Sequence, residues 1–66
     1  MAEINQNLMS IANDLIDASI TARFTNNDPE TSNHILTDAA TVYAEAGSDG
    51  DAEVCKLLIE INKGDS

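Results

Sequence analysis

The chain has 66 residues, of which 42% are hydrophobic, and its 12 acidic and 3 basic side chains give a formal net charge of −9. This composition predicts one small folded domain over residues 1–66 and excludes an acidic disordered tail. The charge also excludes direct binding to nucleic acid or to an anionic membrane, because their phosphate groups repel it.

The sequence lacks the features of membrane, secreted and zinc-binding proteins. No apolar run approaches the roughly 18 residues of a membrane-spanning helix, and residues 1–7 lack the basic and apolar regions of a secretory signal. The one cysteine, Cys55, cannot form an internal disulfide, and one cysteine with one histidine cannot form a structural zinc site. We therefore expect a cytoplasmic protein with no metal and no cofactor.

The first predicted helix spans residues 4–24 and has a very wide apolar face. At 100° per residue, two neighbouring apolar stripes together cover roughly 200°, twice the width that an ordinary surface helix needs. The first stripe contains Ile4, Leu8, Ile11, Leu15, Ala18 and Ala22, and the second contains Met9, Ala12, Ile16 and Ile20. Such a face needs more than one neighbour. The helix should end at residues 25–27, where an asparagine can take the left-handed conformation.

The second predicted helix spans residues 29–46 and has the strongest start signal in the chain. Asp28 can accept hydrogen bonds from the first free amides, Pro29 suits the first helical position, and Glu30 complements the helix dipole. Gly47 should end the helix. The apolar side contains Ile35, Leu36, Ala39, Val42, Tyr43 and Ala46, and the opposite side contains Glu30, His34, Asp38 and Glu45.

The third predicted helix spans residues 51–62, with Ser48 or Asp49 as its cap. Its broad apolar face contains Val54, Cys55, Leu57, Leu58 and Ile61, with Ile59 at the flank. Three helices and short turns predict an all-α fold, either a small three-helix bundle or a helical hairpin with an added third helix. Because the first helix needs a further neighbour, we expect a homodimer. The residues expected in the dimer interface or the core are Leu8, Met9, Ile16, Ile20, Leu36 and Tyr43.

The reactive residue types do not form a recognisable catalytic or metal site. A calcium loop around Gly50 fails because its third and twelfth positions would be Gly47 and Lys56, which cannot supply the needed carboxylates. His34 and Asp38 lie one helical turn apart, and we expect a solvated pair. Cys55 lies on an apolar face, which predicts a buried, unreactive thiol. We therefore expect no catalytic residue, and the chain is predicted not to be an enzyme.

The acidic side chains are the candidates for partner binding. They are Asp14 and Asp17 on the first predicted helix and Glu30, Asp38 and Glu45 on the second. The three on the second helix are about 10–12 Å apart, whereas duplex DNA carries one charge per about 1.7 Å. Imitation of DNA would be sparse, and a solvated acidic surface is favoured.

These observations predict a non-enzymatic protein-binding module. In size and composition the chain resembles accessory proteins of phages and other mobile elements. That resemblance implies an inhibitor of a host or defence protein, which would act by occluding a basic surface of its partner. The alternative is a structural or regulatory subunit that completes a larger helical assembly. The two differ in whether the partner is stable and active alone.

Overall fold

The computed structural model describes residues 3–64, which form an all-α fold without strands. Helix α1 spans Gln6–Ile20 and continues as a π-helical turn, Thr21–Thr25; α2 spans Pro29–Ala46 and α3 spans Asp49–Gly64. The predicted all-α class with three helices is confirmed for this part of the chain. None of these helices is long and apolar enough to cross a membrane.

Asparagine residues mark both ends of the first helical segment, Asn5 through its side chain and Asn27 through its backbone conformation. The Oδ1 atom of Asn5 accepts hydrogen bonds from the amides of Asn7 and Leu8, at 3.0 and 3.2 Å. The helix therefore begins after Asn5, and the predicted start at Ile4 is wrong. At the other end Asn27 has a φ of 52°, which is the left-handed conformation expected there.

The last turn before Asn27 is wider than an α-helical turn. The amide of Asn26 donates to the carbonyl of Thr21, five residues back, at 3.1 Å. The amide of Asp28 then donates to the carbonyl of Ala22, at 2.9 Å. The predicted helix to residue 24 is thus α-helical only to Ile20, and the π-helical turn sets the direction of the side chains that follow.

Helix α2 begins and ends at the residues that the sequence predicts. The carboxylate of Asp28 accepts hydrogen bonds from the amide and the hydroxyl of Thr31, at 3.1 and 2.6 Å. Gly47 ends the helix with a φ of 93°, a conformation that is strained for residues with a Cβ atom. These hydrogen bonds hold the Asp28 carboxylate in its charged form and lower its pKa below the ordinary 3.8.

We expect Asp28→Ala to destabilise the chain at neutral pH, because the first turn of α2 loses its acceptor. The folded state depresses the pKa of Asp28, so the contribution is complete above pH 3.8 and is lost as the pH falls through the lower, folded value. Urea denaturation at several pH values measures the difference between wild type and variant. Asp38→Ala, on the exposed side of α2, is the control and should change little; an equal loss would contradict the capping role. His34 is not used as the control because its charge also lowers the pKa of Asp28.

Helix α3 is longer at both ends than predicted, because it begins at Asp49 rather than at residue 51 and continues to Gly64. Ser48 precedes its first residue, and the Ser48 hydroxyl donates to a carboxylate oxygen of Asp51 at 2.6 Å. The amide of Ala52 donates to the carbonyl of Ser48 at 3.2 Å. The serine thus joins the loop to the first turn of the helix.

Helix α2 is the centre of the fold. Both α1 and α3 pack on it, but within the described residues no Cα atom of α1 lies within 8 Å of one in α3. The arrangement is therefore an open three-helix bundle. Its core consists mainly of small side chains: Ala12, Leu36, Ala39, Tyr43, Ala52 and Cys55. Small residues at the two contacts let the helix pairs approach closely, but they leave many larger side chains outside.

The apolar face of α1 packs on α2 along the line between its two predicted stripes. Ala12 and Ser19 are buried on this line, while Ile11 and Ile20 lie on opposite sides of it and are 50% and 51% exposed. No second helix of the described chain covers either side. The homodimer expected from the width of this face stays a prediction.

The residues expected in the core or a dimer interface divide into three groups. Leu36 and Tyr43 are buried core residues. Met9 and Ile16 are partly buried against that core, and Leu8 is half-buried. Ile20 lies outside the core and belongs to an open groove between the outer helices.

Candidate functional site

An open groove runs between the end of the first helical segment and the end of α3, with α2 as its floor. We call it the α1–α3 groove, and its cavity volume is about 120 Å³. Its apolar lining residues are Ile20, Phe24, Leu36, Leu58 and Ile61, and its polar lining residues are Ser19, Arg23, Ser32 and Asn62. Leu36 forms the buried floor, whereas Phe24 on the rim is 75% exposed.

An exposed apolar stripe on α3 continues the wall of this groove. Val54, Leu57, Leu58 and Ile61 follow one another at the spacing that places residues on one side of a helix, and all four remain exposed. Single exposed apolar residues are ordinary, but a contiguous group on a small monomer indicates a binding surface. This stripe and the opposite rim, Ile20 and Phe24, form the strongest candidate site in the described chain.

The predicted apolar face of α3 is only partly buried. Cys55 is fully buried and Ile59 is half-buried against the core, but the other four predicted members remain exposed. The buried side is completed instead by Ala52 and Asn62. The helix therefore turns a narrow side of small and polar residues toward α2 and leaves its large apolar residues exposed. Of these, Leu58 and Ile61 line the groove.

Asn62 connects all three helical segments at the apolar end of the groove. Its Oδ1 atom accepts a hydrogen bond from Nε of Arg23 at 3.2 Å. Its Nδ2 atom donates to Oγ of Ser32 at 3.2 Å and to Oδ1 of Asn33 at 2.9 Å. Among the described residues, no buried side-chain nitrogen or oxygen lacks a hydrogen-bond partner. The cluster fixes the separation of the two groove walls at this end.

The π-helical turn places two groove residues together. The guanidinium carbon of Arg23 lies 5.4 Å from the centroid of the Phe24 ring, within the range of a cation–π contact. Arg23 thus joins the exposed aromatic rim to the Asn62 cluster. Arg23, Asn62 and Ser32 were not among the site residues predicted from the sequence. The one available signal was the seven-residue spacing of Asn62 from Cys55, which places both on one side of α3.

The cavity ends near Ser19 and Leu58, and the residues one to two turns beyond it, toward the start of α1, are polar and acidic; we call this region the acidic end. The hydroxyl of Tyr43, two turns beyond Leu36 on α2, donates to Oδ1 of Asn13 at 2.5 Å. Burial raises the pKa of Tyr43, and the negative charges of Asp51 and Asp17 raise it further. These two carboxylates belong to α3 and α1, the two helices that pack on α2.

The five predicted partner-binding carboxylates are all exposed but do not form one surface. Three of them, Glu30, Asp38 and Glu45, lie on the side of α2 opposite its buried residues. The other two, Asp14 and Asp17, lie on α1 away from its buried line. Of the five, Asp17 is the one that acts on Tyr43, and Asp51, absent from the predicted set, lies opposite it.

The structure separates the two reactive side chains. His34 is exposed on α2, whereas Cys55 is fully buried in the core. Burial raises the pKa of the Cys55 thiol, and the charge of Asp51 adds to this effect. Over residues 3–64, no group of three or more His, Cys, Asp or Glu side chains is placed to hold a metal ion.

We expect Cys55 in the folded chain to react slowly with a thiol reagent, because its thiol is buried and its raised pKa disfavours the reactive thiolate. Alkylation followed by mass spectrometry should give a rate that rises strongly as urea unfolds the chain. The variant Lys56→Cys with Cys55→Ala provides an exposed thiol on the same helix as the control. Equal rates for the two folded proteins would contradict the burial of Cys55.

A second furrow lies between α2 and α3, with a cavity volume of about 410 Å³. It is lined by Thr37, Ala40, Thr41, Ala44, Glu45, Ala52, Lys56 and Ile59. These side chains are mostly small or charged. The furrow therefore lacks the large exposed apolar residues that anchor most protein partners.

Comparison of the chain with protein families, with curated proteins and with solved structures returns no match.

Proposed function

We propose that this chain is a non-enzymatic protein-binding module that binds its partner through the α1–α3 groove. The proposal depends chiefly on one observation: large exposed apolar side chains from two helices, including Ile20, Phe24 and Leu58, line the same open groove. Apolar side chains of a partner would gain most by burial there, because the groove has a buried apolar floor at Leu36.

The acidic surface has a separate role in this proposal. The net charge of −9 attracts a basic partner over a screening length of about 8 Å at physiological salt. Such charges mainly raise the association rate, whereas buried apolar anchors mainly lower the dissociation rate. The carboxylates therefore need not lie on one surface to favour a basic partner, and binding occludes the surface of that partner.

A subunit role is the second candidate, and the separation of α1 from α3 favours it. An assembly that inserted a helix between them would bury the exposed stripe of α3. An inhibitor, in contrast, binds a partner that is stable and active by itself. Assaying the purified partner alone and with this chain therefore distinguishes the two.

Site-specific photo-crosslinking in the cells of origin tests the proposed surface. A benzophenone side chain at Ile61, on the α3 wall of the groove, should capture a protein that the same group at Asp38, on the opposite side of α2, does not capture. The affinity of the purified partner should then fall about tenfold or more with Ile61→Ser, since burying an isoleucine side chain contributes about 1.5–3 kcal/mol, and little with Ile11→Ser. Loss of binding with Ile11→Ser alone would place the interface on the other side of α1.

The predicted homodimer is tested separately by sedimentation of the purified chain over a range of concentrations. A dimer that Ile20→Ser dissociates and Ile11→Ser leaves intact would use the groove. A dimer with the reverse sensitivity would use the opposite side of α1 and leave the groove open to a partner.

A further inference from the structure

Helices α1 and α3 are placed like two diagonally opposite helices of a four-helix bundle. Neighbouring helices in a bundle have axes 8–10 Å apart, so the diagonal axes of a square arrangement lie about 11–14 Å apart. With Cα atoms about 2.3 Å from each axis, neighbours bring Cα atoms well within 8 Å, whereas diagonal helices with axes about 13 Å apart or more do not. The pairs α1–α2 and α2–α3 have Cα atoms within 8 Å of each other, as neighbouring helices do, and the pair α1–α3 does not.

The groove walls are nevertheless held together at one end. The hydrogen bond from Arg23 to Asn62 connects them, and residues of both line one cavity. The outer helices are thus too far apart to pack on each other but close enough to contact one helix between them. The position that a fourth helix would occupy is the α1–α3 groove itself.

We propose that the α1–α3 groove binds a single amphipathic helix of a partner protein, which carries Lys or Arg at one end and completes a four-helix bundle. This inference rests on the proposed function and adds the structure and charge of the partner. The apolar face of the helix lies on Ile20, Phe24, Leu58 and Ile61, and its cationic end lies beside Asp17 and Asp51.

The dimensions of the groove give the length of this helix. Asn13 marks the acidic end and Phe24 the apolar end, and eleven residues of helix extend about 16 Å. The bound segment therefore has about three turns. Its apolar side chains recur at i, i+3, i+4 and i+7, and its cationic side chains follow in the next turn.

The charges favour a cationic helix over a second copy of this chain. Asp17 lies one helical turn after Asn13, whose Oδ1 atom accepts the hydrogen bond from the Tyr43 hydroxyl. Asp51 lies one turn before Cys55, which belongs to the same core cluster as Tyr43. A second copy would bring another net charge of −9 to this surface, whereas a helix with Lys or Arg in that turn neutralises both carboxylates. Between Val54 and Ile61, the side of α3 that carries the exposed stripe has no charged residue. The apolar contacts and the ion pairs of the bound helix would therefore lie at different ends of that helix.

Nuclear magnetic resonance with a designed peptide tests the inference on the full chain. The probe is a capped peptide of about 14 residues, or about 20 Å of helix, with leucines at the four anchor positions and lysines in the last turn. We expect shifts of the methyl signals of Ile20, Leu58 and Ile61 but not of Ile11, which is equally exposed on the other side of α1. A peptide with glutamates in place of its lysines should bind about tenfold more weakly.

Matched variants separate the apolar and the charged contributions. Ile20→Ser should weaken binding about tenfold and Ile11→Ser should not. The double variant Asp17→Asn with Asp51→Asn should lose the preference for the lysine peptide. The double variant Asp38→Asn with Glu45→Gln removes the same amount of charge from the opposite side of α2 and should keep most of that preference. Because all these side chains are exposed, circular dichroism should show unchanged helix content.

Two results would overturn the inference. If the peptide causes no shifts and the chain is a dimer that Ile20→Ser dissociates, the occupant is a second copy, although the groove remains a protein-binding surface. If the lysine and glutamate peptides bind equally, or neither binds the monomeric chain, the occupant is not a cationic helix. In either case the crosslink at Ile61 still decides whether the proposed function holds.

Discussion

Leu36→Ala should lower the free energy of unfolding by about 2–5 kcal/mol, the range for removing a buried leucine side chain. Leu36 is 1% exposed and is the largest of the fully buried side chains. A chain of this length has a total stability of roughly 3–10 kcal/mol. The substitution therefore removes a large part of it, and urea denaturation followed by circular dichroism should show a variant that is partly unfolded without denaturant.

Ile11→Ala is the control for this prediction, because it removes a similar volume from a half-exposed position outside the core. We expect a loss of less than about 1 kcal/mol, since about half of the side chain stays in contact with water in the folded state. A loss as large as that of Leu36→Ala would mean that the far side of α1 is buried in solution. Sedimentation would then show whether a dimer buries it.

The helix ends that the sequence predicted correctly have local signals. Asp28 caps the next turn, and Gly47 takes a positive φ that few other residues tolerate. Asn27 likewise takes the predicted left-handed conformation. The start of α1 was misplaced because Asn5 is one of several neighbouring asparagines that could cap, and Ile4 continues the apolar periodicity beyond the true end.

The choice of buried residues could be predicted only in part. Periodicity shows which side chains share a side of a helix, but it does not show how many neighbours that side has. Leu36 and Tyr43 are buried as the second helix predicts, because α2 has neighbours on two sides. Ile20 and Ile61 remain exposed because α1 and α3 do not contact each other, and Ala12 and Ala52 are buried instead.

The candidate site could not be predicted from the sequence for a related reason. Arg23 and Asn62 are 39 residues apart, and their hydrogen bond depends on the arrangement of three segments. The π-helical turn that directs Arg23 has no glycine or proline to mark it. The groove is also open because no helix lies between α1 and α3. The apolar pattern of a single helix cannot show whether a neighbouring helix is present or missing.

Asn62→Ala should have the second largest effect, a loss of about 1–3 kcal/mol, because buried polar groups lose their partners. Oγ of Ser32 and Oδ1 of Asn33 would each lose a hydrogen-bond donor, and Nε of Arg23 would lose an acceptor. Alanine is the better helix former, so this gain offsets part of the loss, which urea denaturation measures. Asn7→Ala, on the exposed start of α1, is the control and should be nearly neutral.

The same substitution should also loosen the apolar end of the groove, because Asn62 is the hydrogen-bonded connection between the wall that carries Arg23 and Phe24 and the wall formed by α3. Ser32→Ala with Asn62→Ala should then cost less than the sum of the single variants, since the two side chains share one hydrogen bond. The ring signals of Phe24 in a magnetic resonance spectrum should shift with Asn62→Ala and not with Asn7→Ala. Additive losses with an unchanged Phe24 signal would contradict the role of Asn62, and the spacing of the groove walls would then depend on the packing of α1 and α3 against α2 alone.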